Sequence, residues 1–141
     1  MTAEVARTIY NPLQRDRVTF LKTAAETGGE LMLVEVELAP GGGNALHYHT
    51  SFSERFTPIV GALGVQLGKE QRVLRPGESA LVKQHEVHRF YNGSDQPIRF
   101  YVEIRPARAG FEQSLRIGYG LAADGQTNAT GIPKDLLTAD S

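Results

Sequence analysis

All four histidines of this 141-residue sequence fall in two short clusters, His47-Tyr48-His49 and His85-Glu86-Val87-His88. On an extended strand, residues i and i+2 project from one face. His47 and His49 therefore turn their imidazoles to the same side, about 7 Å apart along the chain. Glu54 follows the turn-forming stretch Thr50-Ser51-Phe52-Ser53, and a return strand there carries its carboxylate back beside the two rings. His88 arrives from a distant strand after a tight turn. Three imidazoles and one carboxylate suit a borderline divalent ion such as Fe²⁺, Mn²⁺, Ni²⁺, Co²⁺ or Zn²⁺. The rings ligate only when neutral, so such binding weakens below about pH 6. Taken alone, a His-x-His pair on a strand is more often a surface pair or a hydrogen-bonded polar pair than a ligand pair.

The elements that must position these side chains are short and extended. Leu31 to Ala39 alternates Met32, Val34, Val36 and Leu38 against Leu33, Glu35 and Glu37, the period of a half-buried strand. Pro40-Gly41-Gly42-Gly43-Asn44 ends it, since proline has no amide donor and glycine accepts positive φ. Further strands are expected at Val18–Leu21, Ala45–His49, Glu54–Val60, Ala62–Leu67, Gln71–Leu74, Ser79–Val82, His88–Tyr91 and Ile98–Arg105. Turn residues separate them, among them Gly61, Arg75-Pro76-Gly77 and Asn92-Gly93-Ser94-Asp95. This many short strands with regular turns indicates an all-β sandwich or barrel. Phe111, Leu115, Gly118 and Ala122 recur at helical spacing, and Gly125 follows as a C-cap would, so a C-terminal helix over 110–123 precedes an irregular tail to Ser141.

Composition narrows the chemistry. Without cysteine, disulfides, thiolate nucleophiles and cysteine-ligated metals are excluded. Fifteen Lys and Arg against sixteen Asp and Glu give a net charge of −1, with no basic stripe to hold nucleic acid. No apolar run approaches the ~20 residues that span a bilayer. Residues 1–16 contain Glu4, Arg7 and Arg15 and no apolar stretch, so no secretory signal is expected and a cytoplasmic location is. The Asn92-Gly93-Ser94 and Asn128-Ala129-Thr130 triplets match the glycosylation pattern but lack a route to that machinery. Pro40-Gly41-Gly42-Gly43 reads as a turn, because no Lys-Ser/Thr or helix follows it.

Gly41, His47, His49, Glu54 and Gly61 stand at the spacing G-x5-H-x-H-x4-E-x6-G, and Gly77, His88 and Asn92 continue the pattern after a fifteen-residue gap. In these positions the sequence resembles the cupin superfamily, in particular its small single-domain members of the cupin 2 conserved-barrel type. Two positions of the second motif depart from the family: Lys83 replaces a proline and His85 a glycine. The resemblance implies a double-stranded β-helix, or jelly-roll barrel, over 17–109, preceded by an extension over 1–16 and followed by a helix and tail over 110–141. It also implies a mononuclear divalent metal held by His47, His49, Glu54 and His88.

The family glycine is expected to be left-handed, a conformation that His tolerates better than most residues. His85 then reads either as a rim residue with its ring in water or as a substrate contact or proton shuttle. Phe56 and Phe90 share parity with Glu54 and His88 and either line the substrate pocket or fill the core. Tyr48 and Tyr91 face the other way. The expected function is a metal-dependent enzyme, of dioxygenase or isomerase/lyase type, acting on a small organic molecule. The alternatives are a non-catalytic metabolite-binding or structural barrel. A sensing domain of a transcription factor is disfavoured, since no helix-turn-helix segment is visible. A homodimer without nucleic-acid or membrane partners completes the expectation.

Overall fold

Strict alternation of apolar and polar side chains builds the two sheets. The computed structural model describes residues 7–125; the tail beyond them, with Asn128-Ala129-Thr130, lies outside the described residues. Nine strands precede one helix: β1 (Thr8–Asn11), β2 (Asp16–Lys22), β3 (Met32–Leu38), β4 (Ser53–Val60), β5 (Leu63–Leu67), β6 (Glu70–Leu74), β7 (Ala80–Val82), β8 (His88–Tyr91), β9 (Ile98–Arg105) and α1 (Ala109–Ala123). One sheet runs β1-β2-β3-β9-β4-β7 and the other β6-β5-β8, with antiparallel pairing throughout. This is the jelly-roll barrel with a C-terminal helix expected from the sequence.

The inward face is continuous across strands. Met32, Val34, Val36 and Leu38 of β3 stand opposite Ile104, Val102, Phe100 and Ile98 of β9, and all eight are buried. β4 joins the same face, with Phe56 opposite Val102 and Glu54 opposite Ile104. Parity therefore forces a carboxylate onto an apolar surface. In the facing sheet, His88 and Phe90 of β8 are buried while Arg89 and Tyr91 are half-exposed. The phenyl rings of Phe56, Phe90 and Phe100 meet at centroid separations of 5.2–6.2 Å between the sheets, a spacing at which aromatic pairs attract beyond their buried area.

Two features differ from the sequence reading. Thr8–Asn11, inside the segment read as an extension, forms β1 and pairs with β2 in register. Ala45–His49 is not a regular strand. It meets the segment 85–92 at intervals: Asn44 N–H donates to Phe90 O at 3.2 Å, His47 and His88 exchange amide bonds at 3.0 and 2.8 Å, and His85 N–H donates to His49 O at 2.7 Å. Two residues, Ala45 and Leu46, oppose one, Arg89, between the first pair of contacts, and Tyr48 alone opposes Glu86 and Val87 between the next. Such mismatches interrupt a ladder as bulges do and re-aim the side chains beside them.

Positive φ appears where turns are tightest. Gly61 lies at φ 84, and a Cβ there would fall 2.5 Å from Ile98 Cγ2, so only glycine fits between β4 and β5. His85 takes φ 67 at the position where the family carries glycine, as expected for a left-handed turn residue. The turn is held by Glu86, whose carboxylate accepts the Lys83 N–H at 3.1 Å. A left-handed L-residue costs roughly 1–2 kcal/mol. His85→Gly should therefore stabilise the fold by up to about 1 kcal/mol and His85→Val should destabilise it by about 1–2 kcal/mol, read from urea unfolding midpoints. A loss of stability in His85→Gly would show that the imidazole itself holds the turn.

Candidate metal centre

Four side chains expected as ligands converge from three places: His47 and His49 from the loop before β4, Glu54 from β4 and His88 from the start of β8. One ligand atom from each lies within 4.8 Å of the others. Glu54 Oε1 sits 2.9 Å from His88 Nε2 and 3.1 Å from His49 Nε2. The His47 ring lies 4.3 Å from that of His88 and 4.9 Å from that of His49, centroid to centroid. Ligands about 2.0–2.2 Å from a common ion lie roughly 3–4 Å apart; the two Glu54 contacts lie at about this spacing, and the whole set, within 4.8 Å, can hold one divalent ion after a small inward adjustment.

Backbone carbonyls orient the rings. Ala45 O accepts from His47 Nδ1–H at 2.7 Å, and Glu86 O accepts from His88 Nδ1–H at 2.8 Å. A carbonyl only accepts, so Nδ1 carries the proton and Nε2 is the atom offered to the cluster. His49 is fixed differently. Its ring stacks on Phe52 at 4.3 Å and meets the edge of Phe111 of α1 at 5.3 Å, so the helix closes over the cluster from above.

The electrostatics follow from burial. Burial raises the Glu54 carboxyl, but hydrogen bonds from His49 and His88 outweigh it and hold the pKa at about 2. Burial lowers His88, yet the Glu54 carboxylate reverses the sign and the imidazole is raised. At His47 burial dominates and the pKa is lowered, with the neighbouring imidazoles adding to the effect. A neutral His47 and an anionic Glu54 are the protonation states that ligate a cation.

The cluster opens on a cavity of about 300 Å³ whose wall includes His47, His49, Glu54, Phe56 and Phe90. Both phenylalanines are also core residues, so each ring packs in the core and lines the cavity. His85 is placed elsewhere. It is exposed and does not line the cavity, because the left-handed turn leaves the residue at the surface while its amide bonds to His49 O. Tyr48 is exposed as its parity requires.

The far part of the cavity holds residues that the sequence reading did not single out. Asp16 of β2 is fully buried, and its Oδ2 accepts from the Tyr119 hydroxyl of α1 at 2.7 Å and from Gln14 Nε2 at 3.1 Å. Gln14 Nε2 also reaches Tyr119 Oη at 2.9 Å. A signal was present: Asp16 shares parity with inward Val18 and Phe20, and Tyr119 continues the Phe111, Leu115 stripe by four residues. Burial pushes the Asp16 carboxyl up to about 6 against those two hydrogen bonds, and the Tyr119 hydroxyl is pushed well above its ordinary range, chiefly by burial.

The Cupin_2 model, described as a cupin domain, matches residues 34–104. No curated protein matches the chain. Among solved structures, KdgF from Halomonas sp. is 21% identical, with 69% of this chain and 84% of that chain covered at a TM-score of 0.62. The Cupin_2 domain of an XRE family transcriptional regulator from Enterobacter cloacae is 25% identical over 67% of this chain and 100% of that chain, TM-score 0.59. The polyketide cyclase RemF from Streptomyces resistomycificus is 22% identical over 77% and 82%, TM-score 0.61.

The Asp16 carboxyl makes a testable contribution to stability. Its pKa rises from 3.8 to about 6 on folding, so between these values the folded chain holds a proton that the unfolded chain releases. Stability from this group is therefore greatest below about pH 4 and falls as pH rises through 6, by of order 3 kcal/mol. Comparing Asp16→Asn with the parent at pH 4 and pH 8 cancels any constant cost of the amide. The variant should gain roughly 2–3 kcal/mol on the parent between the two pH values in chemical unfolding; a gap that does not change with pH would contradict the assignment.

Proposed function

This chain belongs to the Cupin_2 family, and we propose that it is a metal-dependent enzyme acting on a small, largely apolar organic molecule held in the cavity beneath α1. One observation carries the reading: three imidazoles and a buried carboxylate bring their ligand atoms within 4.8 Å of one another, and two of the imidazoles, His47 and His49, with Glu54 line a cavity of about 300 Å³. A borderline divalent ion (Fe, Mn, Ni, Co or Zn) would be held by these four side chains, and it would supply Lewis acidity for isomerase/lyase chemistry or a centre for dioxygenase chemistry.

The chain's own residues do the rest. His47, His49, His88 and Glu54 hold the cation, and Ala45 O and Glu86 O keep two of the rings in the ligating tautomer. Phe52 and Phe111 cover His49 and limit water at the cluster. Val34, Val36, Val102 and Ile104 supply apolar wall, which suits an organic ring or short chain. We place the protein in the cytoplasm as a homodimer, the exposed Val73 on edge strand β6 being the kind of strand edge that pairing covers. No nucleic-acid partner is proposed for a chain of net charge −1. Among the described residues, no helix is long and apolar enough to cross a membrane.

A second reading, a barrel that binds a metabolite without turnover, is favoured by the cavity wall itself. Outside the cluster, Asp16 and Tyr119 are the titratable side chains on that wall among the described residues, and they bond to each other. Structures of this fold bear the names of a polyketide cyclase and of a regulator's domain, so the fold is compatible with either reading.

Elemental analysis of the untagged protein should find close to one transition metal per chain. His49→Ala and Glu54→Ala should each lower metal affinity by at least roughly 10–100-fold while the circular dichroism of the barrel persists. Parent-like occupancy in both variants would move the site elsewhere. Oxygen uptake with a panel of enediols, diketones and catechols separates the chemistries: uptake with any of them marks an oxygenase, product without uptake an isomerase or lyase, and binding without product the second reading.

A further inference from the structure

The cavity has two polar regions, and the metal cluster accounts for one. The other is built on Asp16, which lines the cavity, is fully buried, and has one oxygen, Oδ1, without a hydrogen-bond partner among the described residues. Its other oxygen is fully engaged by Tyr119 Oη at 2.7 Å and Gln14 Nε2 at 3.1 Å. The position is held firmly. Arg15, between Gln14 and Asp16, takes φ 56, and Asn11 Oδ1 accepts the amides of Leu13 and Gln14 at 2.9 and 3.1 Å. Three neighbouring residues and one from α1 thus converge to leave Oδ1 unpartnered, and because Asp16 is fully buried a ligand group reaches it with a small shift of the side chains around that end of the cavity.

The helix sets the distance between the two regions. Phe111 touches His49 at 5.3 Å between centroids, and Tyr119 touches Asp16. Eight residues of helix separate them, a rise of about 12 Å. Leu115 lies midway and lines the cavity. Between a cation site and a carboxylate oxygen runs an apolar trough, roofed by one helix.

We propose that Asp16, held by Tyr119 and Gln14, anchors a hydroxyl group at one end of an elongated, otherwise apolar small molecule lying under α1. A hydroxyl offers one donor to one free acceptor. An ammonium would bring three donors and leave two of them facing valine and leucine side chains. A carboxylate or phosphate on the ligand would meet the Asp16 charge and be repelled. The proposal rests on the reading of the cavity as a small-molecule pocket and extends it to the end remote from the cluster.

Matched biphenyl probes test it on the full-length protein as purified. 4-Phenylphenol carries the hydroxyl, 4-methoxybiphenyl replaces the donor with an acceptor, and 4-phenylbenzylamine carries an ammonium. The parent should bind the phenol about tenfold or more tightly than the methyl ether in fluorescence titration, and more tightly than the amine. Equal affinities, binding of none of the three, or a preference for the amine overturns the proposal, and this comparison needs no variant to fold.

Asp16→Asn sharpens the test. Tyr119 and Gln14 require the amide oxygen, which leaves an N–H donor in place of Oδ1, so the phenol preference should vanish or reverse toward the ether. A phenol preference unchanged in Asp16→Asn overturns the assignment to this residue. Metal content is measured in the same samples. A metal-free protein that still prefers the phenol leaves the anchor standing while removing the metal reading, and a metal-loaded protein indifferent to the hydroxyl does the opposite.

Discussion

A buried carboxyl either takes up a proton or is held as an anion by donors around it, and Glu54, held as an anion, imposes the second requirement on everything around it. Its place on the inward face of β4 follows from strand parity, two residues before Phe56 and opposite Ile104 of β9. Left alone there, an ion of this kind would cost several kcal/mol after relaxation. His49 and His88 stand within hydrogen-bond reach. Hydrogen bonds from both rings hold Glu54 near 2, and the Glu54 carboxylate in turn raises His88. A divalent cation answers the same charge without protons. The cluster is thus poised between two ways of satisfying one constraint.

Holding that arrangement explains local structure that otherwise looks irregular. His47 and His49 come from a loop interrupted by mismatched pairing with 85–92, and a regular strand would have set both rings by parity alone. Instead, the reciprocal amide bonds between His47 and His88 fix their backbones together, and carbonyls of Ala45 and Glu86 rotate the two rings inward. The left-handed His85 turn anchors the far end of the seam through the His49 carbonyl. The departure from glycine at that position leaves the hydrogen bond intact, because it is made by the amide and not by the side chain.

Much of this was legible in the residues, and what escaped did so for physical reasons. Alternation in 31–39 and 98–105 located the paired core strands, since a strand with one buried face writes that face into every second residue. His47, His49 and Glu54 were visible because their spacing is short-range, whereas His88, 34 residues beyond Glu54, entered through the resemblance of the second motif. Ala45–His49 read as a strand because its pattern has the right period, while the bulges depend on a partner forty residues away. Asp16 was hidden by its charge: a carboxylate at the start of a short strand reads as surface until its parity with Val18 and Phe20 is weighed. Tyr119 was hidden by the helix, whose apolar stripe can be drawn through Gly118 and Ala122 as readily as through Leu115 and Tyr119. Which stripe faces inward is decided by the barrel below it.

The helix links the two polar regions and gives the cavity its character. Without α1, the cluster would face solvent over His49, and the Asp16 carboxyl would lose the Tyr119 hydroxyl that occupies one of its oxygens. With α1 in place, Phe111 and Leu115 lower the effective dielectric between the two, and electrostatic interactions with either end strengthen accordingly. The same low dielectric penalises a ligand that brings an unmatched polar group to the middle of the trough. Selectivity in such a cavity comes from the separation of its polar ends and the emptiness between them. A barrel shared with many relatives can therefore be specialised by a few residues that lie outside the metal motifs, on β2 and on the helix.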